Sequence, residues 1–157
     1  MAVQTAATTE ISISASIPAT FDAAGYAALV DFDVIGEVTD AGTHGRVYQA
    51  VTHNPLGSRG TQKFKGSFNE GTKTIQMALD DEDDGQILAK TALNDDADYS
   101  FCVEYPDGSK DFFQAKVMSF QKSASTVDTV ITATMDLEIT TSKDGVGIVE
   151  VAAPVTP

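Results

Sequence analysis

Cysteine, tryptophan and basic residues are scarce in this chain of 157 residues, and each shortage removes a class of function. The single cysteine, Cys102, cannot close an intrachain disulfide or build a thiolate zinc site. It lies in DYSFCVEY, where Tyr99, Phe101, Val103 and Tyr105 alternate with Asp98, Ser100, Cys102 and Glu104. The thiol is therefore expected on the more polar face, as a small filler rather than a nucleophile. Tryptophan is absent and aromatics are 8% of residues, so the core is expected to be thin and subunit contacts to complete it. Lysine and arginine total 10 against 23 acids, a formal charge of -13. Such a surface repels phosphate, which excludes a DNA reader and disfavours an anionic membrane surface.

Long apolar runs are missing too: nothing approaches the about 18 residues needed to span a bilayer. The opening MAVQTAATTE has neither the basic start nor the apolar centre of a secretion signal, so a soluble chain made in the cytoplasm is expected. No G-x-S-x-G, phosphate loop, dinucleotide fingerprint or HExxH occurs, and no enzymatic activity or cofactor is expected.

What is present is alternation. The length suits one domain, expected over residues 10–151, with a flexible arm at 1–9 and a tail at 152–157. Glu10–Ser16 reads as a half-buried strand. Phe21–Phe32 is Ala-rich, a short helix or a loop, and Gly25 argues against a long helix. Short strands are expected at Val34–Val38 and Arg46–Thr52, followed by a loop at His53–Gly60. Thr61–Phe68 and Thr72–Leu79 flank NEG and read as a hairpin. In DDEDDGQILAKTAL the run Asp81–Asp84 places carboxylates on the exposed amides of a helix start. Ile87, Leu88 and Leu93 are expected to face the core, with Gln86 and Lys90 outward. A second hairpin is expected from Tyr99–Tyr105 and Lys110–Phe120 across PDGS. The closing strand, Thr129–Thr140, turns Ala133, Met135, Leu137 and Ile139 one way and Thr134, Asp136, Glu138 and Thr140 the other. A weaker run follows at Val146–Val151. The fold class is mainly β, a sandwich or barrel of two packed antiparallel sheets with one flanking helix.

Candidate ligands are few. Asp80, Glu82, Asp84 and Gly85 match the start of a calcium loop, but Thr91 stands where a bidentate Glu is required, so helix-start electrostatics are favoured and no metal is expected. His44 and His53 have no partner at a diagnostic spacing and read as solvated loop residues. Arg59, Lys63 and Lys65 form the basic cluster, flanking Phe64. Two lysines on an edge strand either deter unwanted pairing or meet a neighbouring subunit's carboxylates.

The order of these segments resembles the tail tube (major tail) protein family of long, non-contractile-tailed bacteriophages. The resemblance runs from about Val34 to Thr140, through IGEVTDAG, NPLGSRGTQKFKG, SFNEGTKTIQMAL, DDGQILAKTAL, PDGSKDFFQAKVMSF and VDTVITATMDLEIT. Residues Met1 to Asp33 lie outside it, and the C-terminal segment is too short for the immunoglobulin-like decoration domain of some relatives. The resemblance implies a β domain with a flanking helix, six copies to a ring, and rings stacked into the hollow tube of a virion tail. It also implies tape measure, tail terminator and tail tip proteins as partners. Other virion parts, a tail terminator or a head decoration protein, are alternatives. A carbohydrate-binding β sandwich is weaker for want of Trp.

A conduit for double-stranded DNA must not hold it. Asp136 and Glu138, with Thr134 and Thr140 between and beside them, are the candidates for an acidic lumen. Arg59, Lys63, Lys65 and the apolar Leu56 are the candidates for inter-subunit contact, as pairing of sheet edges around a ring would satisfy exposed amides.

Overall fold

The computed structural model describes residues 3–154; the first two residues of the expected arm and the last three of the expected tail lie outside this range. Among the described residues the elements are β1 (Glu10–Ser14), α1 (Ala23–Ala27), β2 (Asp33–Val34), β3 (Val38–Asp40), β4 (Val47–His53), β5 (Gln62–Asn69), β6 (Thr72–Ala78), α2 (Asp84–Leu93), β7 (Tyr99–Glu104), β8 (Lys110–Ser123), β9 (Thr132–Thr140) and β10 (Val149–Val151). The chain is mainly β. One curled antiparallel sheet runs β2-β1-β7-β8-β9-β6-β3, with β10 also on β8, while β4 and β5 form a separate two-stranded sheet.

The two rims of the large sheet are β2 and β3, which are consecutive in sequence, so residues 33–40 bridge from one edge to the other. The Ile35 amide donates to Ile11 O at 2.8 Å on one rim, and the Ala78 amide donates to Glu37 O at 2.8 Å on the other. Between them the backbone turns sharply, with Glu37 at φ 59°, a left-handed value that is costly for a residue with a Cβ. Val34–Val38 is thus not one strand but the end of one and the start of another. The start of α2 holds this seam. Asp83 caps the helix by accepting from the Gln86 amide, and the same carboxylate oxygen accepts from the Gly36 amide at 3.0 Å. The Gln86 side chain donates to Gly36 O and Ala78 O and accepts from the Asp80 amide.

Gln86 is fully buried, so its expected outward orientation is wrong. The buried face of α2 is Gly85, Gln86, Ala89 and Ala92, whereas Ile87 and Leu93 are exposed and Leu88 is half-buried. Hydropathy ranks an amide below an isoleucine, but only the amide can satisfy three backbone groups cut off from water. Gly85 is needed for a different reason: a Cβ there would stand 2.3 Å from Val34 O.

Inside the curl lie Ile11, Ile13, Ile75, Met77, Val117, Met135 and Leu137, with Phe101 stacked on Phe113 at 5.6 Å. The alternation of β9 holds: Ala133, Met135, Leu137 and Ile139 are buried. That strand begins at Thr132, three residues later than expected, because Thr126–Thr129 closes a turn. On the outside, α1 settles the ambiguous Ala-rich stretch as a five-residue helix, a second helix beside the one expected. Tyr26 stacks on Phe112 at 4.9 Å and covers Cys102. Strand β7 is therefore buried on both faces, which the alternation of DYSFCVEY did not disclose. The hairpin it forms with β8 is as expected, although β8 continues to Ser123. A register shift on β8 between Val117 and Ser119 marks where this double coverage ends.

The hairpin expected across NEG does not form. β5 pairs with β4, and β6 leaves to pair with β9 and β3. At the corner Gly71 has φ 89°, and its amide donates to the Asn69 side chain. Pairing β6 with the exposed β5 would leave Ile75 and Met77 in water. Two apolar side chains of that size are worth about 3–6 kcal/mol when buried, which decides the partner.

In urea unfolding, Gln86→Leu is expected to lose about 2–4 kcal/mol through orphaned backbone groups, and Gly85→Ala about 1–3 kcal/mol through overpacking. Ile87→Ser, at the position expected from hydropathy to matter more, should change stability by less than about 0.5 kcal/mol.

Candidate functional site

Three regions carry chemistry that the core does not use. The first is the outward face of β9 and its neighbours. Thr134, Asp136, Glu138 and Thr140 all lie on it, opposite the buried residues of the same strand. Cross-strand hydroxyls fix the carboxylates: Thr74 Oγ1 donates to Asp136 at 2.8 Å, Ser119 Oγ to Asp136 at 3.1 Å and Thr72 Oγ1 to Glu138 at 2.9 Å. Lys116 stands opposite Glu138 in register but its amine pairs with Asp98. The face is thus neutral hydroxyl and amide studded with held carboxylates. Thr140 reaches its edge and lines a cleft of about 580 Å³ against the base of the β4–β5 hairpin.

The second region is that hairpin. Every residue of β4 is exposed, and all of β5 but the half-buried Gly66. Segment 46–69 contains four of the ten basic residues and none of the 23 acids. Lys63, Lys65 and Arg59 are all exposed, and Leu56 at the tip is fully so. Lys65 Nζ lies 4.9 Å from the Tyr48 ring centre, and the Arg46 guanidinium lies 3.9 Å from that of Phe68. Val51 and Phe64 pair on the other face and are also solvent-exposed. The interface candidates therefore sit together on one projection, separate from the lumen candidates on β9.

The third region was not expected. His44, read as a solvated loop residue, is half-buried at the hairpin root; His53 is exposed on β4. Lys73 Nζ lies 3.0 Å from His44 Nδ1, and an ammonium has only donors, so Nδ1 accepts. Nε2 then carries the proton and donates to Asp111 Oδ2 at 2.7 Å, which also accepts from Tyr105 Oη at 2.6 Å. Burial alone would raise Asp111, but the hydrogen bonds from His44 and Tyr105 outweigh it and hold the carboxyl below its usual range. Burial, then the bond to Asp111, raises Tyr105. Burial lowers Lys73 to about 8. Beside this cluster, Arg46 Nε donates to the buried Glu70 at 2.7 Å, tying the two ends of the hairpin. The signal for Lys73 was in the sequence: it shares the inward period of Ile75 and Met77 in TKTIQM.

In and beside the calcium-like run, three acids have structural roles. Asp83 caps α2 and holds Gly36, Asp80 accepts from the Glu82 amide, and Asp81 pairs with Lys90 at 2.8 Å. Cys102 is pushed up to about 11 by burial, away from thiolate chemistry.

No protein-family model matches the sequence, and no curated protein matches it. Among the solved structures that share the fold are two with TM-scores near 0.6. The baseplate of the anti-feeding prophage, determined with 6-fold symmetry, superposes at a TM-score of 0.62 with 8% identity over 94% of each chain. The SPP1 tail tube superposes at 0.59 with 14% identity, over 92% of this chain and 76% of that one. Identity this low speaks for the fold alone, and that fold is the one found in tail tube and baseplate subunits.

Lys73 makes a testable contribution to stability. Its folded value of about 8 is below the ordinary 10.5, so above pH 8 the folded chain has released a proton that the unfolded chain keeps. Stability from this group therefore rises with pH, by about 1 kcal/mol between pH 8 and 9. Above pH 9 the raised thiol of Cys102 acts in the opposite sense. Urea unfolding across pH 8–9 should show the rise in the wild type, and Lys73→Met should flatten it.

Proposed function

We propose that this chain is the repeating subunit of a hollow, phage-type tail tube, a structural and non-catalytic role, with subunits closing into rings of six that stack head to tail. The observation that carries the reading is the outward face of β6 and β9 on a tube-type fold: a broad polar surface whose charged groups are Asp136 and Glu138, each held by hydroxyls rather than by a cation. Turned toward the bore, it presents repeating bands of negative charge. Double-stranded DNA carries about one negative charge per 1.7 Å, and such a wall repels it without a site at which to stall. Thr134 and Thr140 supply uncharged polar surface between the bands.

Assembly follows from the charge partition. The hairpin is wholly basic in its charged residues and the rest of the chain carries all the acids, so a second copy is the complementary partner for Arg59, Lys63 and Lys65. Leu56 and the exposed Val51–Phe64 pair add apolar area to that contact. Residues 3–9, the loop His53–Gly60 and residues 152–154 become protected at the contacts between rings. Within the virion tail the tube would enclose a tape measure protein and end on terminator and tip proteins. A second reading, a ring at the end of the tube rather than its repeating unit, draws on the likeness to a baseplate subunit over 94% of both chains.

Negative-stain microscopy of concentrated protein separates these readings: long hollow tubes are expected, discrete rings would favour the tube-end reading, and lone globules even with a tip complex added would overturn both. Lys63→Glu/Lys65→Glu is expected to abolish tubes while leaving the unfolding free energy within about 0.5 kcal/mol of wild type, since both side chains are exposed. Raising salt from 0.1 M to 1 M, which shortens the screening length from about 10 Å to about 3 Å, should slow tube growth. Hydrogen exchange at residues 3–9 and 54–60 should slow on polymerisation, and equal exchange in both states would remove these segments from the contact.

A further inference from the structure

We propose that the cavity at the hairpin root is a binding site for a small organic carboxylate with an apolar tail, held by Lys73. This goes beyond the tube reading and does not depend on it. The cavity has a volume of about 460 Å³, within the range of small-molecule sites, and lies beneath residues 4–6 of the N-terminal arm. Lys73, His44 and Tyr105 form its polar wall, and Val38, Ala41 and Val103 its apolar one.

Donor accounting identifies the ligand. The Lys73 ammonium has three N–H groups, and among the described residues its one hydrogen-bond partner is His44 Nδ1. Asp111 receives the far side of that imidazole and the Tyr105 hydroxyl, and the charges of Asp111 and Asp40 act on the lysine without either carboxylate accepting a hydrogen bond from it. Two donors of this buried, cavity-lining cation have no partner among the described residues, a costly state that an anionic acceptor relieves. A carboxylate supplies two acceptor oxygens to those donors, and an alkyl tail occupies the volume between Val38, Ala41 and Val103. A neutral amide of the same shape leaves the cation uncompensated. The arm holds the roof loosely: Gln4 Oε1 accepts from the Asp107 amide, and Thr8 has φ 72°, a backbone position at which a side chain is strained.

The titratable groups around Lys73 are His44 between β3 and β4, Tyr105 after β7, Asp111 on β8 and Asp40 at the end of β3. Only the lysine ammonium offers a positive charge to the cavity. Binding should therefore weaken as Lys73 loses its proton above pH 8.

The test is titration of the ¹⁵N-labelled full-length chain with sodium butyrate at pH 7, with sodium chloride at matched ionic strength and butyramide as controls. Saturable shifts are expected at residues 4–9, 38–42, 73 and 103–106 with butyrate and with neither control. Affinity should fall about 30-fold between pH 7 and pH 9.5, following the ammonium fraction of a lysine of pKa about 8. Lys73→Met should abolish the shifts, and Ala41→Phe, which fills the cavity from a half-buried position, should do the same with the lysine intact. Unsaturable shifts, equal binding of butyramide, or full binding by a folded Lys73→Met or Ala41→Phe chain would overturn the proposal.

Discussion

The buried side chain of Gln86 holds this molecule in its curl. A curled sheet has two rims, and here the rims meet across residues 33–40, where the backbone changes direction too sharply to satisfy its own amides and carbonyls. Gly36 needs both a donor and an acceptor, and the beginning of α2 brings one of each: the Asp83 carboxylate for its amide and the Gln86 amide for its carbonyl. The same glutamine reaches Ala78 on the opposite rim. Without it the Gly36 and Ala78 carbonyls and the Asp80 amide would be left unpaired at the seam, where each orphaned group costs about 1–3 kcal/mol. The helix is thus a clasp on the seam first and a lid on the core second.

From that closed body the β4–β5 hairpin projects, and its root is built from charge rather than hydrophobic packing. Arg46 and Glu70 join its two ends, while Lys73, His44, Asp111 and Tyr105 pin the connection that precedes it. Buried ionic groups give little net stability over apolar ones of the same shape, but they tolerate only one arrangement of partners. In the proposed assembly a hairpin held at a fixed angle of departure loses less freedom on contact.

Most of the elements were legible in the sequence, and the reasons for the exceptions are physical. The β9 alternation was readable because one of its faces is buried and the other is open, the condition under which period-two patterning is informative. β7 failed that condition, since α1 covers the face that Ser100 and Cys102 share, and two polar-looking positions are buried in a second small core. Both strands flanking NEG were found, yet their pairing was misassigned: proximity in sequence favours a hairpin, and the apolar side of β6 outweighed it. The helix was placed correctly and rotated wrongly, because Gln86 is inside for its hydrogen bonds and that rotation turns Ile87, the next residue, outward. Of the site residues, the lumen candidates could be named from the outward period of β9 and the interface candidates from the basic run around Phe64 with Leu56 in the loop before it. The Lys73 cluster was hidden because its members come from residues 44, 73, 105 and 111, brought together only by the fold.

Strand β8 is 14 residues long, and the bulge after Val117 divides it into unlike halves. Its first half is clamped between the interior and the layer around Tyr26; its second, from Met118 to Ser123, is largely uncovered. Mechanically this is a cantilever, a beam embedded at one end with a compliant notch where it emerges. A force on this outer end, which β9 accompanies as far as the Ser123–Thr132 pair, would bend the two strands together at the notch and leave the embedded aromatic stack undisturbed.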